Sequence, residues 1–190
     1  MRVISGMLAV LLMSSGLALA GEGYKRGAYL GGALGTTQFD DDGALYGLSY
    51  DNQDSGAELW GGYRFFRWLA VEGKYAYLGQ YTISNGFEST NAKAYALTVN
   101  AVFILPFGQS DWDMYGQLGF GSLGYNFNSS YGTYDGSQGT ATAGLGVRWT
   151  PISTMTLSLG IDAYAWQEDG YYQSYNPSIS ITKLGIQYNF

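Results

Sequence analysis

Residues 69–78 have the sequence LAVEGKYAYL, and this stretch decides the fold because its side chains alternate in character. The odd-numbered positions hold apolar or aromatic side chains or glycine, while the even-numbered positions include one acid and one base, Glu72 and Lys74. Successive side chains of a β-strand point to opposite faces of the sheet. The stretch therefore predicts a strand with one apolar face and one face that accommodates charge.

The same alternation recurs along the chain in stretches of about ten residues, the length that a tilted strand needs to cross a bilayer. We predict eight such strands, at residues 27–39, 55–65, 68–79, 93–105, 113–125, 139–150, 155–166 and 178–190. Every backbone N–H and C=O in hydrocarbon must be paired, so the sheet must close on itself. The pattern predicts an all-β fold, an eight-stranded antiparallel up-and-down transmembrane β-barrel.

The connections between these strands alternate between short and long. Short ones lie at 66–67, 106–112 and 151–154, and longer ones lie at 40–54, 80–92, 126–138 and 167–177. Outer-membrane barrels have short periplasmic turns and longer extracellular loops. We therefore expect four extracellular loops, with both chain termini in the periplasm of a bacterial cell. Outward aromatic residues near the strand ends predict a girdle at the membrane surface: Tyr63, Phe65, Phe103, Trp149, Tyr188 and Phe190.

The first twenty residues have the features of a secretory signal peptide. Arg2 precedes an apolar run at 7–13, and Ala18, Leu19 and Ala20 form a small-residue cleavage site. We predict that residues 1–20 are removed and that residues 21–190 form the barrel domain. Charged residues make up only 13% of the chain and the mean hydropathy is −0.07, a balance that alternating strands produce.

Composition also restricts the function. The net charge is −6, and it becomes −7 when Arg2 is removed, so nucleic acid is not an expected partner. The sequence contains neither histidine nor cysteine, the side chains most used for proton transfer near neutral pH, for thiolate chemistry and for binding transition metals. We therefore expect no catalytic, cofactor-binding or metal-binding site, and no enzyme activity.

The inward faces of the predicted strands collect a set of charges that lipid would not accept but a polar lumen would. This predicted lumen charge cluster contains Glu58, Glu72, Lys74, Asp113, Arg148 and Asp162, with Arg64 on the same face. Glu72 and Arg148 both lie near mid-strand, and we expect them to form an ion pair. In the last strand, Ile179 and Ile181 share the inward phase with Lys183, which indicates either an apolar part of the lumen or a bulge.

Three segments resemble the OmpA-type and opacity-type family of small outer-membrane barrels. Residues 29–39, YLGGALGTTQF, are similar to its first strand, and residues 61–79 are similar to its second hairpin. Residues 180–190, SITKLGIQYNF, resemble the C-terminal signature that the barrel-assembly machinery recognises, with its alternate positions at Leu184, Ile186, Tyr188 and Phe190. The resemblance implies an interior charged cluster that blocks the lumen, although Asn100 stands where the family has a base. The chain ends at the barrel's last strand, so we do not expect a peptidoglycan-binding domain.

These observations favour a non-enzymatic, monomeric protein with a structural or surface-interaction role, in envelope integrity or adhesion. Its expected partners are outer-membrane lipid and lipopolysaccharide, the barrel-assembly machinery, and a host or phage surface ligand. An alternative is a narrow pore or a transport protein for small solutes. A third class, a soluble lipocalin-type barrel, requires the opposite phase, with apolar residues inside and charges outside.

Overall fold

The computed structural model describes residues 26–42, 49–50, 52–84, 89–108, 110–129, 132–169 and 174–190. Eight long strands in these residues form one closed antiparallel barrel, which confirms the predicted fold class. The strands are β1 (Gly27–Asp40), β2 (Gln53–Phe66), β3 (Leu69–Ser84), β4 (Ser89–Pro106), β5 (Trp112–Ser129), β6 (Gly132–Ile152), β7 (Met155–Ala165) and β8 (Ser178–Asn189). Of three further two-residue strands, Ser49–Tyr50 pairs with the end of β3, and Glu168–Asp169 pairs with Ser174–Tyr175 in a separate small sheet.

Each long strand pairs with its neighbours in sequence, and the barrel closes where β1 pairs with β8. That last ladder runs from Tyr29 opposite Asn189 to Asp40 opposite Ser178. The predicted signal peptide, at residues 1–20, lies outside the described residues. Within the described part of the chain, no helix has the length and hydropathy that a membrane-spanning helix requires.

The two ends of the barrel differ in their connections. At one end, here called the turn end, lie the short links at 67–68, 107–111 and 153–154, the start of β1 and the end of β8. At the opposite end, here called the loop end, strands β3 to β6 continue further than predicted. Most residues of the predicted loops 80–92 and 126–138 belong to the long hairpins β3–β4 and β5–β6. The prediction was wrong there because a strand with water on both of its faces needs no alternation of polar and apolar residues.

The outward face of the barrel is apolar. Large hydrophobic side chains are exposed in every strand; among them are Leu34, Leu59, Val71, Val99, Leu118, Leu145, Ile161 and Leu184. In the middle of the same strands the charged side chains are buried instead; they are Glu58, Glu72, Lys74, Arg148, Asp162 and Lys183. A lipocalin-type barrel needs the reverse arrangement, so that alternative is wrong.

Aromatic side chains surround the turn end, as predicted. Tyr63, Phe65, Phe103, Trp149, Tyr188 and Phe190 are all exposed on the outer face. Several of them pack against one another, for example Trp149 against Trp112, with ring centroids 5.9 Å apart. Amphipathic rings in this position are typical of the headgroup layer of a membrane.

The last strand keeps one phase along its whole length. β8 pairs without a register shift with both β1 and β7, so no bulge reverses its side chains. Ile179 and Ile181 both point inward and are buried, at 2% and 0% exposure. Of the two alternatives for this strand, an apolar section of the lumen is therefore the one observed.

Candidate functional site

Four charged side chains meet in the middle of the barrel interior. Glu58 of β2 and Asp162 of β7 lie between two lysines, Lys74 of β3 and Lys183 of β8. Lys74 Nζ is 2.5 Å from an Asp162 oxygen and 3.6 Å from a Glu58 oxygen, and Lys183 Nζ contacts the same two oxygens. Each lysine thus neutralises both carboxylates. We call these four residues the charge ring.

The charge ring is buried and electrically neutral. None of its members exposes more than 4% of its surface, and two acids balance two bases. Hydrogen bonds with neutral side chains extend it: Tyr164 Oη donates to Glu58 at 2.7 Å, and Lys74 donates to Gln117 at 3.1 Å. A buried charge without a partner is strongly unfavourable, so the four residues depend on one another.

An apolar cluster covers the charge ring toward the loop end. Its buried members are Ala76, Leu78, Tyr81, Ala94, Ala96, Leu123, Tyr164, Ile179 and Ile181. Phe39 and Trp166 pack against this cluster, and their rings are stacked with centroids 6.2 Å apart. Because Tyr164 belongs to the cluster and also donates to Glu58, the apolar cluster and the charge ring are in direct contact.

A second group of polar contacts lies toward the turn end. Arg148 donates through Nε to Asp113 at 2.7 Å, and its guanidinium lies over the Tyr115 ring, 5.4 Å from the centroid. Glu72 accepts a hydrogen bond from Tyr29 Oη at 2.9 Å.

The predicted ion pair between Glu72 and Arg148 is not found among the ion pairs of the described residues, and that prediction was wrong. The reason is strand adjacency. Asp113 and Arg148 are directly opposite each other in the β5–β6 ladder, whereas Glu72 lies on β3, across the barrel interior. A cross-strand neighbour on the same face is within reach of a side chain without any crossing of the lumen.

Glycine makes room for these side chains. A Cβ built on Gly144 would lie closer than 3.0 Å to the Asp162 carboxylate and to the Gln117 amide. A Cβ on Gly119 would meet the Asn100 side chain in the same way. Asn100, at the position where the resemblance implies a base, accepts a hydrogen bond from Thr142 at 2.5 Å and donates to Thr98 at 3.0 Å.

One small cavity lies beside these groups. The residues that line it include Trp60, Glu72, Lys74, Tyr115, Arg148 and Lys183. Its volume is about 20 Å³, counted as the space open to the centre of a water molecule. That is room for about one water molecule. Nη2 of Arg148 is buried and has no hydrogen-bond partner among the described residues. A water molecule in this cavity is a suitable acceptor for it.

All six residues of the predicted lumen charge cluster point into the barrel, but the structure divides them. Glu58, Lys74 and Asp162 belong to the charge ring, Asp113 and Arg148 form a separate pair, and Glu72 bonds to Tyr29. The prediction omitted Lys183, the fourth member of the ring. Its inward phase was a usable signal, because a lysine that faces inward in a narrow barrel requires an acid as its partner.

The C-terminal assembly signature lies on the opposite face. Leu184, Ile186, Tyr188 and Phe190 all point outward, with exposures of 69%, 54%, 54% and 70%. Their alternate spacing on β8 therefore presents one apolar stripe at the outer wall, next to β1 and β7. Recognition of this stripe by the assembly machinery stays a prediction.

The described residues contain no group of three or more Asp, Glu, His or Cys side chains that could hold a metal ion.

Comparison with known families gives a match over nearly the whole chain. The model of the outer membrane protein β-barrel domain matches residues 6–190. No curated protein matches the chain by sequence.

Solved structures share the fold at low sequence identity. Neisserial surface protein A is 13% identical, with a TM-score of 0.67 over 86% of this chain and 97% of that one. The attachment invasion locus protein Ail of Yersinia pestis is 19% identical, with a TM-score of 0.55 over 87% of this chain and 100% of that one. The N-terminal β-barrel domain of Pseudomonas aeruginosa OprF is 13% identical, with a TM-score of 0.55 over 87% and 100% of the two chains.

Proposed function

Because this chain belongs to the outer membrane β-barrel family, we propose that it is a non-enzymatic protein of the bacterial cell surface whose barrel is a plugged anchor for its loop-end hairpins. The observation that carries the proposal is the neutral, buried charge ring. A barrel that fills its interior with mutually dependent side chains leaves its outer ends as the parts that contact other molecules.

The plugged lumen is supported by the succession of layers along the barrel axis. The apolar cluster covers the charge ring toward the loop end, and the small cavity toward the turn end accommodates about one water molecule. An eight-stranded barrel is narrow enough for side chains to fill it. The alternative function, a narrow pore or small-solute transporter, requires these layers to move apart.

The orientation follows from the difference between the two ends. Short turns face the periplasm in outer-membrane barrels and long hairpins face outward, so we place the turn end, with both termini, in the periplasm. The loop end then carries exposed contact groups such as Tyr134, which is 65% exposed. Two barrels with the same fold are described as a surface protein and an attachment invasion locus protein, which supports a surface-interaction role.

Orientation is tested by cysteine labelling, because the natural sequence contains no cysteine. Ser137→Cys places a thiol at the loop end, and Ser110→Cys is its matched control at the turn end; both serines are exposed. A membrane-impermeant maleimide added to intact cells should label the first variant and should label the second only after lysis. The reverse result refutes the orientation.

The plugged lumen is tested by planar-bilayer conductance of the purified protein. We expect the wild type to show no steady openings, and we expect openings in the double variant Glu58→Ala/Lys183→Ala, which removes one acid and one base from the charge ring without changing the net charge. Steady, discrete openings of the wild-type protein favour the pore function instead.

A further inference from the structure

The wall of the barrel has a step at the loop end, between β6 and β7. β6 pairs with β5 as far as Gly132 opposite Ser129, but its pairing with β7 stops at Ala141 opposite Ala165. In the described part of the chain, residues 134–139 of β6 therefore have a strand partner on one side only. Their other side presents backbone N–H and C=O groups as an open edge.

A groove lies at the base of this open edge. It has a volume of about 520 Å³ and is lined by residues that include Phe120, Gly139, Ala141, Ala165, Trp166 and Asn176. Gly139 and Ala141 contribute little or no side chain to the groove, and both residues are exposed. Phe120 is 74% exposed and forms an apolar wall.

The open edge lies above the hydrocarbon layer. Along the outer face of β6, the apolar residues Leu145, Ala143 and Ala141 give way to Ser137 and Asp135 toward the loop end. Unpaired backbone groups are not tolerated in hydrocarbon but are acceptable in water, and the open edge begins where the apolar face stops. The groove thus straddles the boundary, with its apolar wall below and the polar edge above.

We propose that the open edge of β6 and its groove bind an extended, neutral or basic polypeptide segment of another protein by strand addition. A peptide strand supplies hydrogen-bonding partners for the backbone N–H and C=O groups of the edge, and one of its apolar side chains fits the groove. A lipid chain supplies no hydrogen bonds. This inference rests on the proposed surface-interaction role and names the class of partner.

The charge of the edge favours such a partner over a second copy of the chain. Residues 133–140, TYDGSQGT, contain one acid and neither lysine nor proline, the residues that commonly protect an exposed strand edge. Two copies joined at this edge would bring together two chains whose net charge is −7 each once residues 1–20 are removed. A segment with a lysine or arginine opposite Asp135 meets the complementary charge instead.

The test uses disulfide tethering on the purified, refolded protein. Asn176→Cys places the only thiol of the chain at the groove. The probe is a synthetic heptapeptide of alternating valine, lysine and threonine with a cysteine at its amino end. Two further peptides have the same side chains and carry N-methyl groups on every second residue, each in one of the two alternate phases. We expect methylation in one phase to lower the equilibrium fraction tethered by about tenfold or more, because it removes edge hydrogen bonds, and methylation in the other phase to change it less than twofold.

Equal tethering of the unmethylated and both methylated peptides overturns the proposal, because the groove then binds side chains without strand addition. Tethering no stronger than that of a proline-rich control peptide overturns it as well. Concentration-dependent dimerisation that the peptide does not reverse assigns the edge to a second copy. None of these measurements depends on the orientation in the membrane, so a failed tethering test and a failed Ser137→Cys labelling test are distinguishable.

Discussion

Replacement of Lys183 by methionine removes one base from the charge ring and keeps a side chain of similar length. Lys183 contacts both Glu58 and Asp162, and all three residues are at most 4% exposed. The variant leaves Lys74 alone with two buried carboxylates. Removing one partner from a buried ion pair typically costs about 3–5 kcal/mol, so we expect a loss of this size in the free energy of unfolding.

A second variant separates charge balance from packing. Glu58→Gln, added to Lys183→Met, restores neutrality and leaves the Lys74–Asp162 pair at 2.5 Å in place. The glutamine still offers an oxygen to the Tyr164 hydroxyl. We therefore expect the double variant to recover part of the loss and to be destabilised by about 1–2 kcal/mol relative to wild type, a strongly non-additive result.

The measurement is urea unfolding in lipid vesicles, followed by tryptophan fluorescence and by heat-modifiable migration on a gel. Lys93→Met is the matched control, since Lys93 is exposed near the loop end, and it should change stability by less than about 0.5 kcal/mol. If the double variant is as unstable as the sum of its two single variants, the reasoning about mutual neutralisation is refuted.

Three further predictions follow from the interior and the outer wall. Gly144→Ala pushes a methyl group against the buried Asp162 carboxylate and should cost about 1–3 kcal/mol in the same unfolding assay. The control Gly116→Ala, whose Cβ meets nothing nearer than 3.9 Å, should cost less than about 0.5 kcal/mol; equal losses would contradict the crowding at Gly144. Asp113→Asn weakens the charge-assisted bond to the buried Arg148 guanidinium and should cost about 1–3 kcal/mol in the free energy of unfolding. Glu72→Gln should cost less, because it keeps an acceptor for the Tyr29 hydroxyl; a larger loss for Glu72→Gln would favour the Glu72–Arg148 pair instead. Phe190→Ser removes an exposed ring that packs on Tyr188 at the outer wall, so the refolded protein should lose only about 0.5–1.5 kcal/mol. Assembly in cells, measured as the heat-modifiable fraction after pulse labelling, should slow; unchanged assembly would contradict the role of the C-terminal signature.

The strands and their inward and outward faces could be predicted because lipid imposes a strict alternation on every residue that it touches. Leu69 to Leu78 show that alternation without interruption, and the structure places each of their side chains on the expected face. The limits of β3 to β6 at the loop end could not be predicted. Beyond the membrane a strand can carry polar residues on both faces, so residues 126–138 have the composition of a loop although most of them form a hairpin.

The membership of the charge ring depends on strand register, which the sequence pattern does not determine. The inward phase of Lys183 was evident, but its height relative to Glu58 and Asp162 follows from the β8–β7 and β8–β1 ladders. The same limit explains the mistaken partner of Arg148. Its true partner, Asp113, faces it across the β5–β6 hairpin, a neighbour that only the register of those two strands identifies.

Closure of the barrel by β1 and β8 has a consequence for the order of events during synthesis. The final ladder joins Tyr29 to Asn189, so the first strand made must wait for nearly the whole chain before its second edge is paired. Contacts between residues so distant in sequence make folding slow and leave unpaired edges exposed in the meantime. A nascent chain interrupted before Ser178 has no self-contained folded form to adopt in a bilayer, because both of its outer strands still need partners. The twelve residues of the final strand thus determine when, and whether, the other seven strands can enter the membrane.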